Sequence, residues 1–209
     1  MPPPKTRNVF INCPFTPDYA EHFRAIVFSV CRSGYSPRCD REEDDGSQNR
    51  LEKIYEIIKD CPYGIHDISF TDLDPASGLP RFNMPLELGI FLGAKRYGGR
   101  VHQSKKALIL DKEPFRYQQF LSDISGHDIH AHRGLTEGAI TAVSRWLRDD
   151  SDNPGVPGET IVLNDYNAFS GRLPELSAAQ QLDPGELTFK DYRRLASYWI
   201  AETQVNAAS

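Results

Sequence analysis

Lys106-Ala-Leu-Ile-Leu-Asp111 is an almost uninterrupted apolar run. It reads as a strand buried on both faces, as in a parallel sheet covered by helices. Toward the N-terminus, Met84-Pro-Leu-Glu-Leu-Gly-Ile-Phe-Leu-Gly-Ala-Lys95 reads as a helix, with Asn83 as its expected N-cap, proline in the first turn and Glu87 in that same turn. The stretch Thr71 to Arg81, rich in Asp, Pro, Ser and Gly, is the loop leaving a strand at Tyr63-Gly-Ile-His-Asp-Ile-Ser69. Leu51, Ile54, Tyr55 and Ile58 mark a helix ending near Asp60, and Tyr35 to Cys39 forms a brief strand before it. Phe23, Ile26, Val27, Val30 and Cys31 recur at spacings of three and four, a stripe suited to packing on a sheet, with Asp18 as start signal and Gly34 as stop. The first strand is Asn8-Val-Phe-Ile-Asn-Cys-Pro14. This alternation of strands and helices predicts right-handed βαβ units and an α/β fold with an open, doubly wound, mainly parallel sheet.

Past Asp111 the period fades. Tyr117 to Ser122 reads as a helical turn, Ile129 as a short edge element, and Thr136 to Leu147 as a helix through Ile140, Val143 and Trp146. Asp149 to Gly158 is a polar connector containing Pro and Gly, and Leu187, Phe189, Tyr192, Leu195 and Trp199 fall at helical spacing. Residues 1–150 are thus expected to form the α/β domain with the pocket, and 151–209 a helical extension packed on it, since some fifty residues make a thin core.

The chain has 209 residues, 39% of them hydrophobic and 25% charged, which suits one packed domain with a small appendage. Net charge is −5 and the pI about 5.7, so no overall positive field favours nucleic acid as a partner. No apolar run approaches the ~18 to 20 residues that span a bilayer, so no membrane segment is expected. Met1-Pro-Pro-Pro-Lys5 lacks the apolar stretch of a secretory signal, which predicts a cytoplasmic, reducing setting. Cys13, Cys31, Cys39 and Cys61 form no CxxC pair and are expected to be buried thiols.

In an open parallel sheet, ligands bind beyond the carboxyl ends of the strands. Polar residues gather at those ends: Asn12, Cys13 and Pro14 after strand one, Arg38 and Asp40 after strand two, His66, Asp67 and Ser69 after strand three, and Asn83 and Glu87 on the next helix. Asp67 and Glu87 are the leading pair, because a buried carboxylate near a sugar C1′ serves as nucleophile or stabilises an oxocarbenium ion while its neighbour holds ribose hydroxyls. The plainer readings are a helix N-terminal acid for Glu87 and a turn carboxylate for Asp67. Alternation along the strand lets only one of His66 and Asp67 face the pocket, and Asp67 is preferred. The acidic run Asp40-Arg-Glu-Glu-Asp-Asp45 lacks calcium-loop spacing and reads as a solvated loop whose Asp40 and Glu42 reach ribose hydroxyls or a substrate amide. His127, His130 and His132 read as polar loop residues, with zinc binding the alternative and no metal assigned. GxGxxG, P-loop and GxSxG motifs are absent. Arg38, Arg50 and Arg81 are candidates for holding a diphosphate.

Phe10-Ile-Asn-Cys-Pro-Phe15, Asp67, and Asn83-Met-Pro-Leu-Glu-Leu-Gly89 with Gly93 resemble the pattern of nucleoside 2-deoxyribosyltransferases over roughly Val9 to Asp111. The same layout is similar to bacterial Toll/interleukin receptor (TIR) domains that cleave NAD in antiphage defence. The resemblance implies a flavodoxin-like fold and a nucleotide-type substrate, with Glu87 as the nucleophilic or ribose-contacting acid and Asp67 as a substrate-positioning acid. It places Asn12, Cys13 and Phe15 in the first loop of the base pocket. Cys13 stands where the transferases carry glycine, and their aspartate shortly before the glutamate is replaced by Arg81, Phe82 or Asn83. The implied activity is N-glycosidic cleavage or transfer, with NAD a substrate rather than a cofactor. The alternatives are a catalytically silent nucleotide sensor and a TIR-type assembly module. No sensor domain is recognisable, so a trigger is expected from self-assembly as a homo-oligomer or from a separate partner.

Overall fold

The computed structural model describes residues 7–73, 78–150 and 155–207. Five strands, β1 (Asn8–Asn12), β2 (Ser36–Arg38), β3 (Tyr63–Asp67), β4 (Lys106–Asp111) and β5 (Ile129–Ala131), form one all-parallel sheet ordered β2-β1-β3-β4-β5. That is the expected α/β fold in the flavodoxin-like strand order, with the switch between β1 and β3. Ile129 does belong to an edge strand.

Side chains alternate across the pleat as strand geometry requires. Val9, Ile11, Tyr63, Ile65, Leu108 and Leu110 join one core with helices α1 (Ala20–Arg32) and α5 (Thr136–Asp150). On the other face, Phe10 packs with Ile54, Ile57 and Ile58 of α2 (Arg50–Asp60) and Phe91 of α3 (Asn83–Tyr97), while Ile109 packs with Leu88. A short α4 (Arg100–Gln103) leads into β4.

Local chemistry sets the helix ends. The α1 C-terminus is a Schellman turn: Gly34 has φ +77°, its N–H reaches the Cys31 carbonyl at 2.9 Å and the Tyr35 N–H reaches Val30 at 3.0 Å. Asp18 lies within a 3₁₀ turn, Pro17–Tyr19, and does not cap α1. Asn49 caps α2 through the Leu51 N–H at 2.8 Å. At the other end of α2, the buried Lys105 ammonium donates to the Ile58 and Cys61 carbonyls and lies 5.0 Å from the Phe91 ring centre.

Two expectations for α3 need correction. Phe82, not Asn83, is its N-cap: the Leu86 N–H bonds the Phe82 carbonyl at 2.9 Å and no side chain caps the turn. Proline has no N–H to satisfy, so Pro85 fits as the third helical residue and the helix starts one residue early. Glu87 therefore lies in the second turn, beyond the orphan N–H groups on which a macrodipole role depends.

The C-terminal part contains two long helices where the sequence suggests one. α6 (Glu159–Ala178) and α7 (Phe189–Ala207) pack on α1 and α5, and their residues Phe169 and Trp199 enclose Phe28, with ring centres 5.1 and 5.9 Å away. Val162, Tyr166, Phe169, Leu173, Leu176, Leu195 and Trp199 thereby join the core that contains Val9 and Ile65. The expected boundary between 150 and 151 abuts residues 151–154, and these, with 74–77 of the loop after β3, lie outside the described residues. No described helix is long and apolar enough to cross a membrane.

Candidate active site

The carboxyl ends of β1 and β2 and the start of α3 meet at a cleft of about 320 Å³, lined among others by Cys13, Phe15, Asp40, Arg50, Asn83 and Met84. Asn12 is buried and braces the cleft without opening into it. Its amide donates to the Met84 carbonyl at 2.8 Å and lies 3.0 Å from His66 Nδ1, tying β1 to β3 and to the first turn of α3. With Nδ1 accepting, the His66 proton sits on Nε2, an atom with no partner. Burial pushes this imidazole down to about 3. It is wedged edge-on against Phe10 and Phe91, a fit that leaves residue 64 no room for a Cβ, which would fall 2.6 Å from His66 Nε2.

Glu87 of α3 is not among the residues that line this cleft; with 8% of its surface exposed, it meets the cleft only through Arg50 and Asp40, which do line it. Burial raises its carboxyl first, the negative charge of Asp40 raises it further, and Arg50 partly offsets both, leaving it at about 7. Arg50 stands between the two acids, 2.7 Å from Asp40 Oδ2 and 3.9 Å from Glu87 Oε1. Asp40 Oδ1 is buried with no hydrogen-bond partner. Glu87, Asp40 and Arg50 therefore form one electrostatic unit at the cleft.

Asp67 belongs to a different cluster. Pleat parity turns it toward α1, where it accepts from the Tyr19 hydroxyl and, at 2.9 Å, from the Ser69 N–H. His132 Nε2 lies 3.2 Å from its Oδ2, at ion-pair distance but off hydrogen-bond alignment. The Gly134 N–H donates to His132 Nδ1 at 3.1 Å, which leaves the ring proton on Nε2, facing Asp67. Burial alone would raise the Asp67 carboxyl, but His132, Ser69 and Tyr19 outweigh it and hold it below the ordinary carboxylate range. Burial and the Asp67 charge push the Tyr19 phenol well up, so it stays a donor. The carboxylate is 0% exposed, and this arrangement suits a structural anchor. Cys13 lies between the clusters, its thiol raised by burial and then by Asp67, Cys39, Asp40 and Glu87.

The remaining sequence candidates divide. Phe15, Asp40 and Asn83 line the cleft with Cys13. Arg38 is committed elsewhere, in a two-pronged ion pair with Glu42 at 2.5 and 2.6 Å, so neither reaches the cleft. Ser69 holds Asp67 with its N–H, and its carbonyl accepts from Arg116 at 2.7 Å. The three histidines do not converge: His132 faces Asp67, His127 lies 3.2 Å from the Ile124 carbonyl, and His130 is exposed on β5. Among the described residues no set of three His, Cys, Asp or Glu could hold a metal ion.

Sequence reasoning missed Arg41, Tyr19 and Arg116. Arg41 lies in the acidic run at the cleft, its guanidinium 4.6 Å from the Phe15 ring centre. Arg116 joins Asp111 at the end of β4 to the carbonyls of Ile68 and Ser69. Tyr19 meets Asp67 across 48 residues of chain, a separation at which no local spacing rule applies. Comparison with protein-family models, curated proteins and solved structures finds no match to this chain.

Proposed function

We propose that the chain is a cytoplasmic enzyme that cleaves or transfers the N-glycosidic bond of a nucleotide-type substrate, NAD foremost, with Glu87 as its reacting acid. The observation that carries this reading is the Glu87 carboxyl, buried beside Asp40 and Arg50, the two of the three that line the strand-end cleft, and poised at about 7. A carboxyl so tuned populates both protonation states near neutral pH. In hydrolysis the C1′–N bond breaks with its electron pair going to the base. The Glu87 carboxylate stabilises the positive charge growing at C1′, water adds there, and Glu87 accepts the proton that water gives up. Asp40, with its unpartnered Oδ1, accepts from a ribose hydroxyl. The resemblance to nucleoside 2-deoxyribosyltransferases and TIR domains supports the same assignment. A part in antiphage defence, triggered by self-assembly or by a separate partner, extends it.

The test incubates the protein and its Glu87→Gln variant with NAD and a panel of ribo- and deoxyribonucleosides, following free base by chromatography at several protein concentrations. Base release should fall ~100-fold or more in the variant. Equal release by both proteins overturns the role of Glu87. A second reading, a nucleotide sensor without turnover, draws on the sealing of Asp67 against Tyr19 and His132, which leaves the cleft without one of its two expected acids. Binding in calorimetry with no base release at any concentration would favour it.

A further inference from the structure

We infer that the outer edge of β5 is a docking site for the free C-terminus of a partner protein, which enters as a sixth parallel strand between β5 and α5 with its carboxylate at the start of α5. The inference stands apart from the glycosidic reading above and uses none of the residues of that cleft.

β5 ends the sheet: it pairs with β4, and no other described strand pairs with it. A groove of about 510 Å³ runs along it. His130 and Ala131 face opposite sides of the sheet by pleat parity, yet both line the groove, so it follows the backbone edge and not one face. The facing wall is α5, where Gly138, Thr141, Ala142, Arg145, Trp146 and Asp149 recur at helical spacing over a rise of about 16 Å, the length of about five extended residues. An unpaired strand edge offers N–H and C=O groups to an added strand. Ala131, Leu135, Ala142 and Trp146 supply apolar surface beside it, with Leu135 exposed and Trp146 half-buried, its ring meeting Tyr63 at 6.0 Å. Strand addition needs such surface for the alternate side chains of the incoming segment.

The two ends of the groove differ, and the difference sets the direction of the occupant. Where β5 stops, α5 starts, and a Cβ on residue 138 would fall 2.5 Å from the His132 carbonyl oxygen, so helix and chain touch there and the groove is closed. A chain end fits that place better than a continuing strand. The exposed Arg133 guanidinium makes no ion pair among the described residues, and the N–H groups of Thr136, Glu137 and Gly138 meet no backbone carbonyl among them. Orphan amides at a helix N-terminus beside a guanidinium favour an anion, which for a chain end is the C-terminal carboxylate. The turn that carries Arg133 is fixed at a left-handed φ of +58° by the bond from its N–H to the Lys112 carbonyl at 2.9 Å. Glu137 is the opposing carboxylate at this end. The open end carries Asp149 and Arg145, the latter paired with Glu159 at 3.0 Å, which disfavours a carboxylate there. A segment whose C-terminus lies beside the end of β5 runs parallel to it, as the five strands of the sheet run parallel to one another.

The probe is an N-acetylated hexapeptide alternating valine and serine, made with a free C-terminal carboxylate, as the C-terminal amide, and as the free acid with alternate backbone nitrogens methylated in either register. Amide NMR on the full chain should place the perturbed signals at residues 129–133 and 138–149, the Trp146 indole among them. The free acid should bind at least ~10-fold more tightly than the amide. Methylation in the register that faces β5 should abolish binding, because it removes the donors of the new ladder. Arg133→Gly, which adopts the left-handed backbone without strain, should bring acid and amide to equal affinity, and Glu137→Gln should tighten the acid. No binding at millimolar peptide overturns the inference, as do perturbed signals elsewhere in the molecule, an acid no tighter than the amide, and binding that survives methylation in both registers. Perturbation of the same residues by raising the protein concentration alone, without peptide, also overturns it and makes a second copy of this chain the occupant.

Discussion

Replacing Glu87 with Gln should stabilise the protein at alkaline pH and change it little at acid pH. The carboxyl has an ordinary value of 4.5 and stands at about 7 in the fold, so the folded protein binds this proton more tightly than the unfolded chain does. The sign follows directly. The contribution of the protonated group is fully present below pH 4.5 and is lost as pH rises through 7. Linkage over that interval gives a loss of roughly 2 to 3 kcal/mol between pH 5 and pH 8, and Gln, isosteric and uncharged, escapes it. In a chain of this size 1 kcal/mol moves Tm by roughly 2 to 4 °C, so the variant should melt above wild type at pH 8 and within about 3 °C of it at pH 5, the gap widening by about 5 to 10 °C between the two. The difference between the two proteins is the quantity to read. His66, pushed down to about 3, works in the opposite direction, gaining stability as pH rises past its unfolded value, and that term cancels in the comparison. Urea titrations at pH 5, 6, 7 and 8 supply free energies to set beside the melting curves. A wild-type minus variant difference that stays flat across this range would refute the buried-acid assignment.

Other substitutions probe the frame around the cleft. Asp67→Asn leaves Tyr19 and His132 facing a neutral amide in a buried cluster and should cost about 3 kcal/mol at pH 7, read by urea midpoint. The wild-type contribution of Asp67 is present above its unfolded value of 3.8 and is lost as pH falls through the lower folded value, so the gap between wild type and variant should close in acid. Gly64→Ala drives a methyl to within 2.6 Å of His66 Nε2 and 2.8 Å of the Phe91 ring and should destabilise by about 1 to 3 kcal/mol. An unchanged midpoint would show that those rings move aside freely. Lys105→Met keeps the stem and deletes the ammonium, taking its hydrogen bond from the Cys61 carbonyl and leaving the Ile58 carbonyl only the Cys61 N–H at 3.3 Å, and should cost about 1 to 3 kcal/mol. Hydrogen exchange at the end of α2 should quicken in that variant, and exchange there at the wild-type rate would count against the role given to Lys105.

Much of the frame is legible in the sequence because it is written in short-range patterns. The apolar run 106–111, the stripe from Phe23 to Cys31 and the stop at Gly34 each express local geometry, and each appears where it was read. The strand-end rule likewise leads to Asp40 and Glu87 without any knowledge of which helix covers which face. Asp67 shows where that rule stops. Parity along β3 separates it from His66, but only the packing of α1 and α3 on opposite faces reveals that its side meets Tyr19 and not the cleft. The extra helix α6 was legible, since Val162, Tyr166, Phe169, Leu173 and Leu176 follow one another at spacings of four and three. Asn164, Asn167, Gly171 and Pro174 hide it, lowering helix propensity where tertiary packing decides the outcome.

Phe28 is among the first core residues to be synthesised, yet the rings that enclose it, Tyr166, Phe169 and Trp199, come from the last two helices. At ~5 to 20 residues per second, a ribosome leaves it waiting about ten seconds or more for Trp199. During that interval a nascent chain can pair all five strands while one side of α1 still shows an oily stripe to solvent or to a chaperone. The enclosure of Phe28 is therefore completed only after every strand of the sheet has been made.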